Sequence, residues 1–338
     1  MGYGELIAIE YHSDLKEVQL DARLAALLST AEQNAPFDRL DWLHNLSTSC
    51  DMDPMVAVAR DENSLVVLPL NKSDDYLTGL SNYYNFRFRP LVTSPGNSAT
   101  LMEALARNLA RKTHRLSFTR VPDEDGSATL LETAFRRAGW SVIREQSDSN
   151  HILPVRGKSW DGYFAERPGK LRSTIKRKTK KLECCIFTQF DEVAWNAYEG
   201  IYGDSWKPEE GSAQFLRSFA QREGTAGRLR LGMAYAKGVP VAAQVWTVEG
   251  GTAFIHKLAY REDAKALSPG SVLSAALFRH AIETDKVEIV DYGTGDEAYK
   301  RDWTEEVRPR YQLDMFLPRS PRNWIPLAKT GLRRLAGR

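Results

Sequence analysis

The chain has 338 residues, of which 42% are hydrophobic and 27% are charged; these values are typical of globular proteins and exclude disordered, collagen-like and low-complexity chains. The length predicts two domains or one large one. No apolar run approaches the ~18 residues of a membrane span, and no basic segment precedes an apolar stretch at the start, so no secretory signal is predicted. Three cysteines are too few for a disulfide framework or a cysteine-based zinc site. We therefore predict a cytoplasmic protein and expect no metal.

The formal net charge of +2 conceals an uneven distribution. Residues 1–150 have a net charge of −6, whereas residues 151–338 have one of +8. The segment Arg167–Lys181 holds eight basic residues, Pro318–Arg338 holds six, and neither contains an acid. Such blocks are usually solvated faces or tails, but they also bind phosphates, nucleic acid or anionic membrane surfaces.

The first half is predicted to alternate strands and helices. A hairpin is expected at Met55–Arg60 and Ser64–Leu70, where two alternating runs flank a polar turn. The polar residues Gln146–Asn150 are the predicted domain boundary. The other predicted strands are Leu6–Tyr11, Arg115–Arg120 and Trp140–Glu145, and the predicted helices are Leu15–Ala31 after Asp14, Phe37–Ser47, Ala99–Lys112 and Ser127–Ala138.

The segment Leu80–Pro90 is unusually aromatic, with Tyr83, Tyr84, Phe86 and Phe88 beside two arginines. We interpret it as a partly exposed platform on which a sugar could stack. Packing at the edge of the core is the alternative.

The second half is predicted to contain a three-stranded antiparallel meander. Glycine-containing turns at Lys237–Gly238 and Gly250–Gly251 separate β-branched and aromatic runs, which is the pattern of successive hairpins. The adjacent Cys184 and Cys185 are expected on a strand, with one side chain on each face. The predicted helices are Trp160–Phe164, Lys170–Glu183, Glu192–Gly203, Ser212–Glu223 and Pro269–Thr284, with a helical turn at Asp296–Trp303, and the predicted strands are Arg228–Ala236, Pro240–Glu249, Thr252–Tyr260, Val287–Tyr292 and Arg310–Leu317.

The loop before the longest helix reads Ser268-Pro269-Gly270-Ser271. Ser268 suits the N-cap and Pro269 the first helical position. Gly270 and Ser271 would then leave backbone N–H groups open at the positive end of the helix dipole, which binds anions. An ordinary capped helix start is the alternative.

From Trp160 to Leu317 the sequence resembles the GNAT superfamily of acyl-CoA-dependent N-acyltransferases, and most of all its FemAB-related branch with the CelD-type proteins of exopolysaccharide and cellulose gene clusters. The resemblance lies in four stretches, which are Tyr163 with Leu171-Arg172, Arg177-Lys178 and Leu182; Ser205-Trp206-Lys207; His256–Tyr260 with Leu267–Leu273; and Asp291–Trp303.

The resemblance implies an α/β (α+β) fold of two tandem GNAT-like subdomains, each a mixed, largely antiparallel sheet flanked by helices. We place them at residues 1–150 and 151–318, followed by a basic tail, residues 319–338. The usual GNAT pyrophosphate loop is Gln/Arg-x-x-Gly-x-Gly/Ala, and only Gly270 survives of it here. Coenzyme A is the expected acyl donor, and aminoacyl-tRNA, the donor of the FemAB peptidoglycan enzymes, remains open.

Acyl transfer to an amine requires a base, an oxyanion donor and a proton for the leaving thiolate. His256 lies on the predicted third meander strand and could accept the amine proton; a packed strand histidine is the alternative. Asp296, Tyr299 and Lys300 are the other predicted catalytic residues, with loop capping and a solvated helix lysine as the alternatives for Asp296 and Lys300.

The remaining site residues are predicted to bind ligands. Ser268, Gly270, Ser271 and Val272 are expected to bind the cofactor, an acetyl-CoA or another acyl-CoA. The expected substrate-binding residues are Arg172 and Lys176 of the basic stripe, for which a solvated face is the alternative, together with Trp206 and Asp291.

The sequence thus predicts an N-acyltransferase that acts on an amino group of a sugar or small metabolite. A non-catalytic subunit of a polysaccharide-synthesis complex and an aminoacyl-tRNA-dependent FemAB-like transferase are the alternatives. Expected partners are the amine acceptor and polysaccharide-synthesis machinery, with no DNA. The tail has a basic amphipathic pattern, which predicts weak contact with the anionic inner face of a membrane; packing of Trp324 onto its own domain is the alternative.

Overall fold

The computed structural model describes residues 6–93 and 96–324. The described strands, in chain order, are β1 (Ala8–His12), β2 (Asp53–Arg60), β3 (Leu65–Lys72), β4 (Leu77–Gly79), β5 (Leu91–Val92), β6 (Arg115–Val121), β7 (Ser141–Pro154), β8 (Glu183–Phe187), β9 (Leu229–Ala236), β10 (Val239–Glu249), β11 (Thr252–Tyr260), β12 (Ile289–Thr294) and β13 (Glu306–Phe316). The described α-helices are α1 (Leu15–Leu20), α2 (Ala22–Leu27), α3 (Leu40–Ser49), α4 (Ser98–Leu109), α5 (Ser127–Arg137), α6 (Trp160–Ala165), α7 (Gly169–Lys178), α8 (Glu192–Gly203), α9 (Ala213–Thr225) and α10 (Pro269–Glu283).

The chain forms two compact units. The first runs to Ser149 and resumes at Pro309, and the second is Asn150–Arg308. Residues 309–316 of β13, which the sequence analysis assigned to the second subdomain, thus lie in the first unit.

The first unit contains a sheet in the order β1-β2-β3-β4-β6-β13, with β5 also paired to β3. All of these neighbours are antiparallel except β4 and β6, which are parallel. Helices α4 and α5 cover the sheet with an apolar face in which Leu105 and Phe135 are fully buried. The core therefore lies between these helices and the strands.

The second unit repeats this plan. Its sheet has the order β7-β12-β11-β10-β9-β8, with residues 150–154 of β7 at one edge and a single parallel pair, β11 with β12. The order of elements is the same in both units. A strand is followed by helices, then by an antiparallel meander, and finally by one helix and a parallel strand. The predicted fold class, two mixed and largely antiparallel α/β subdomains in tandem, is confirmed.

Two layers of helices surround the second sheet. Helices α6, α7 and α10 contribute Tyr163, Ile175 and Phe278 to one apolar cluster with the strands. Helices α8 and α9 contribute Trp195 and Phe219, which are also fully buried. This second layer leads into the loop of residues 204–212, which forms part of the site described below.

Several predicted elements differ from the structure. The predicted helix Leu15–Ala31 is two helices, because the Asp21 carboxylate caps α2 by accepting hydrogen bonds from the backbone N–H groups of Arg23 and Leu24. The basic helix ends at Lys178, and the chain is extended again at Leu182 before β8.

The two cysteines lie on β8 as predicted, Cys184 partly buried and Cys185 exposed. The aromatic segment, in contrast, is mostly core. Tyr84, Phe86 and Phe88 are buried, and among the four aromatic side chains of the predicted platform Tyr83 alone is exposed.

The predicted tail is described only up to Trp324, and residues 325–338 lie outside the described part. The Trp324 side chain is 61% exposed, and its indole Nε1 donates to the carbonyl of Pro318 at 3.0 Å. The indole is therefore not inserted into a groove of its own domain. The predicted membrane contact of the tail stays a prediction.

A buried charge cluster in the first unit predicts acid sensitivity. Asp38, 4% exposed, accepts hydrogen bonds from Arg87 at 2.5 Å and Arg89 at 3.0 Å. Burial raises the pKa of Asp38, but the two guanidinium groups outweigh it and hold the pKa below its ordinary value. The pKa is lower in the folded than in the unfolded chain, so this stabilisation is present above the unfolded pKa and is lost as the pH falls through the folded value.

Asp38→Asn should lower the free energy of unfolding by about 3–5 kcal/mol, because it removes the buried carboxylate that pairs with two partly buried guanidinium groups. Urea unfolding of the variant at neutral pH measures this. Asp53→Asn is the matched control, because this carboxylate is exposed and pairs with Lys72. It should change the free energy of unfolding by less than about 0.5 kcal/mol. Equal losses in both variants would contradict the assignment.

Candidate active site

The two parallel strands of the second sheet, β11 and β12, separate at their carboxyl ends. Strands β11 and β12 are paired from Thr252 opposite Ile289 to Phe254 opposite Asp291. Strand β11 then continues to Tyr260 and β12 to Thr294. Ligands of α/β sheets gather where parallel strands end and separate, so this opening is the first feature of the site.

A β-bulge shapes β11 at this point. Val245 of β10 pairs with Lys257, whereas the next residue, Trp246, pairs with Ile255. His256 is therefore the extra residue of the bulge, and a bulge redirects the side chains around it. The Nε2 atom of His256 lies 2.8 Å from the hydroxyl oxygen of Thr247. The predicted role of His256 as a base stays a prediction.

Three lysines converge beside β11. Lys207, from the loop between α8 and α9, is charge-coupled to Lys257 of β11 and to Lys300. Burial, and then repulsion from Lys257, lowers the pKa of Lys207. Burial also lowers the pKa of Lys257, although its ammonium pairs with Glu210 at 2.7 Å. A lysine with a lowered pKa is more readily neutral and can accept a proton.

Lys207 was not among the residues for which the sequence predicted a catalytic or binding role. The only signal was its place in the Ser205-Trp206-Lys207 stretch of the resemblance. Its distinctive property, a lowered pKa, depends on burial and on two lysines that are 50 and more residues away in the chain.

A cavity of about 490 Å³ adjoins Lys207. The rings of Trp195, Tyr198 and Tyr202 line it together with the carboxylate of Glu210. The Tyr198 hydroxyl is buried and has no hydrogen-bond partner among the described residues, and burial raises its pKa well above the ordinary value. Aromatic faces and a carboxylate are the groups that attract an ammonium ion.

Lys300 is a buried lysine, so its interpretation as a solvated helix residue is wrong. The side chain is 5% exposed. Its ammonium donates to the carbonyl oxygens of Thr294 and Gly295 and pairs with the carboxylate of Glu297 at 2.9 Å. Lys300 therefore holds the turn that follows β12.

Tyr299 lies next to this turn on a short 3₁₀ helix, Ala298–Asp302. The residue as a whole is 42% exposed, but local burial of its phenol, and then the charge of Glu297, raises the pKa of Tyr299 to about 12. The phenol is therefore protonated at neutral pH and can donate a hydrogen bond or a proton.

The predicted start of the long helix is confirmed, except for its cap. Pro269 occupies the first turn of α10, and Ser268 precedes it. Ser268 has a left-handed backbone with φ of 51° and makes no side-chain cap hydrogen bond, so the expected side-chain cap is wrong. Ser271 is half-buried in the first turn.

An aromatic pair adjoins this helix start. The rings of Trp206 and Tyr260 lie 4.3 Å apart. A Cβ atom on Gly270 would lie 3.2 Å from the Tyr260 ring. Trp206, Tyr260 and Gly270 thus bring the loop between α8 and α9, the end of β11 and the start of α10 to one place.

The two predicted aspartates have structural partners. One carboxylate oxygen of Asp291 accepts hydrogen bonds from the Asn150 side chain at 3.0 Å and from the Gly293 N–H at 2.8 Å. Asp296 pairs with Arg301 at 2.6 Å, and this hydrogen bond is the main cause that lowers the pKa of Asp296. A lowered pKa makes a carboxylate a weaker base.

A buried histidine, also missed in the sequence, contacts the same loop. His151 is fully buried, with Nδ1 at 3.2 Å from the Thr304 hydroxyl and Nε2 at 3.3 Å from Asp296. Burial lowers its pKa. His151 thus helps to fix Asp296 in place.

Three predicted residues lie at a different cavity. Arg172 and Lys176 of α7 and the buried Val272 of α10 line a groove between these helices. The structure does not bring them into the lysine cluster.

Lys300→Met should lower the free energy of unfolding by about 1–3 kcal/mol, because two carbonyls lose a charged donor, and should also lower kcat by distorting the turn beside Tyr299. Urea unfolding and steady-state kinetics measure the two effects. Lys265→Met, at a side chain that is 68% exposed, should change neither. Wild-type stability of Lys300→Met would refute this role.

Comparison with known families agrees with this geometry. Residues 169–301 match the family model described as an acetyltransferase (GNAT) domain. This stretch contains the meander, α10, β12 and all three lysines. It is an acyltransferase domain of the GNAT type, and the chain is an acyltransferase. No curated protein is significantly similar to the chain.

Several solved structures resemble the whole chain. L-PGS from Bacillus licheniformis has a TM-score of 0.60 at 16% identity and covers 100% of both chains. FemX has a TM-score of 0.60 at 11% identity, over 90% of this chain and 96% of its own. A tandem GNAT protein from the clavulanic acid biosynthesis pathway has a TM-score of 0.51 at 15% identity, over 91% and 98%. At such identities the similarity establishes the fold.

Within residues 6–93 and 96–324, no group of three or more His, Cys, Asp or Glu side chains is arranged to hold a metal ion. None of the helices in these ranges is long and apolar enough to cross a membrane.

Proposed function

We propose that the chain transfers an acyl group, in the first place acetyl, from a coenzyme A thioester to an amino group of a sugar or small metabolite. The observation that carries the proposal is the opening between β11 and β12, with the start of α10 and the lysine cluster beside β11. The start of α10, on one side of the opening, suits an anionic donor. The lysine cluster and its cavity, on the other side, suit an amine.

The donor is proposed to bind at the start of α10. The N–H groups of Gly270 and Ser271 lie in the first turn of this 15-residue helix, where free N–H groups and the helix dipole favour a pyrophosphate. Gly270 has no side chain to separate the backbone from the phosphates. Trp206 and Tyr260 would flank the pantetheine arm as it runs toward the opening.

The acceptor is proposed to enter through the aromatic cavity beside Lys207. Its ammonium group would be attracted by the tyrosine rings and by Glu210. Lys207, with its lowered pKa, would take the proton from the amine. The free amine then attacks the thioester carbonyl.

The tetrahedral intermediate formed in this attack has a carbon bonded to the amine nitrogen and to the thioester sulfur. It collapses as the C–S bond breaks, and the extra proton that its nitrogen still carries passes to solvent, which leaves a neutral amide and a thiolate. Tyr299, protonated at neutral pH, is proposed to donate the proton that the thiolate needs.

An aminoacyl-tRNA donor is the second candidate. It is favoured by the basic face of α7, which contains Arg172, Lys176 and Arg177, and by the structural similarity to FemX. The CelD-type assignment is kept as a proposal about the acceptor, which would then be an amino sugar of a polysaccharide pathway.

The function is tested by the release of coenzyme A thiol from acetyl-CoA in the presence of amines. We expect release that depends on the amine and that is larger for glucosamine than for its N-acetylated form, which has no free amino group. Release that is equal with both would contradict transfer to an amine. Transfer of the amino acid from an aminoacyl-tRNA, without thiol release from acetyl-CoA, would establish the second candidate instead.

A further inference from the structure

The second unit contains a groove that the proposed transfer from coenzyme A does not use. It has a volume of about 1000 Å³ and lies between α6, α7 and α10, next to the start of β8. The cavity beside Lys207 shares none of its lining residues. A volume of this size is at the upper end of the range of ligand pockets.

The floor of the groove is apolar. Ile175 and Leu182 line it from the basic segment, and Val272, Ala275 and Ala276 line it from α10. The alanines are small, so the surface of α10 is recessed where α7 and α10 face the groove. A floor of this kind holds an alkyl chain, because burial of each methylene group is favourable.

The rim of the groove is cationic. Arg172, Lys176 and Lys180 follow one another at four-residue intervals along one side, and Arg279 of α10 lies on the other. Asp161 is the one acid among the residues that line the described cavity.

Two of these cations are available to a ligand. Arg279 pairs with Glu283 at 2.8 Å, and Arg172 donates to the carbonyl oxygen of Arg167. In the part of the chain that the structure describes, the ammonium groups of Lys176 and Lys180 make no hydrogen bond or ion pair. Their positive charge is therefore uncompensated at the mouth of an apolar groove.

We propose that this groove binds a single-chain anionic lipid, with the alkyl chain on the apolar floor and a phosphate head between Lys176 and Lys180. The apolar floor and the two ammonium groups together indicate this class of ligand. A nucleic acid would use the cations but not the apolar floor, and an apolar peptide would leave the two ammonium groups without counterions.

The test is calorimetric titration of the full chain with dodecyl phosphate below its micelle concentration. We expect saturable binding of one molecule per chain. Dodecyl maltoside, with the same chain and no charge, and inorganic phosphate, with the charge and no chain, should each bind at least 10-fold more weakly.

Two variants and one control variant locate the site. The double variant Lys176→Gln/Lys180→Gln should weaken binding of dodecyl phosphate at least 10-fold, because both head-group partners are lost. Arg177→Gln, on the same helix but outside the groove lining, removes one charge and should leave the affinity within 2-fold. Ala276→Phe should weaken binding by filling the floor, and circular dichroism would verify its fold.

Four results would overturn the proposal. One is equal binding of dodecyl phosphate and dodecyl maltoside, and another is an equal loss of affinity in Arg177→Gln and in the double lysine variant. The third is displacement of dodecyl phosphate by acetyl-CoA, which would make the groove part of the donor site. Binding to phosphatidylglycerol vesicles without binding of monomeric dodecyl phosphate would indicate a membrane-facing surface instead and would equally refute the proposal.

Discussion

Lys207→Met is expected to lower kcat at least 100-fold, because proton transfer by a positioned side chain contributes about 10²–10⁴ to the rate. The same change should not destabilise the protein. Burial and Lys257 lower the pKa of Lys207 in the folded chain, so between the folded and unfolded pKa values the unfolded chain binds more protons and stability rises with pH. At a pH below both pKa values the charged lysine lowers the stability of the folded chain, and methionine removes this charge.

The melting temperature of Lys207→Met should therefore be no lower than that of the wild type. Lys207→Arg is the matched control for charge, because arginine keeps the charge but does not release its proton. It should be as inactive as Lys207→Met. An active Lys207→Arg variant would assign Lys207 an electrostatic role and contradict its role as a base.

Gly270→Val is expected to raise the KM for the acyl donor at least 10-fold with a smaller change in kcat. The new Cβ would lie 3.2 Å from the Tyr260 ring, and a branched side chain would also cover the N–H groups that are proposed to bind the phosphates. Steady-state kinetics with varied acetyl-CoA at a saturating amine concentration measures the effect.

Gly200→Val is the matched control for this substitution. Gly200 lies in α8, and a Cβ atom there meets nothing within 4 Å. The variant should keep the wild-type donor KM. A similar rise in KM for both variants would indicate a general loss of structure, and an unchanged KM for Gly270→Val would exclude a donor site at the start of α10.

Local signals in the sequence were sufficient to predict most of the strands and helices of the second unit. Helix α8 has the predicted bounds, and the meander was marked by the turns at Gly238 and at Gly250–Gly251, where the backbone φ is positive. Turns of this kind are specified by the residues that form them.

Long-range pairing was not visible in the sequence. Strand β7 continues through the predicted boundary Gln146–Asn150, because residues 150–154 pair with β12 more than 130 residues later. Nothing in the polar composition of this segment indicates that partner. For the same reason the residues of β13 could not be assigned to the first unit.

The candidate site was predicted in part. Gly270 was found from the pattern of the helix start, and Trp206, Tyr299 and Lys300 were found from the resemblance. The structure places them around the opening of the sheet or the turn beside it. The importance of Lys207 depends on its burial among charges from two distant segments, β11 and the turn after β12. Sequence patterns do not report burial of this kind.

The central claim is that coenzyme A thioesters bind at the start of α10, and calorimetric titration of the full chain with acetyl-CoA tests it most directly. We predict saturable binding of one molecule per chain, weakened at least 10-fold in Gly270→Val and unchanged in Gly200→Val. Absence of binding to folded protein at millimolar acetyl-CoA would contradict the claim and leave aminoacyl-tRNA as the donor to be tested.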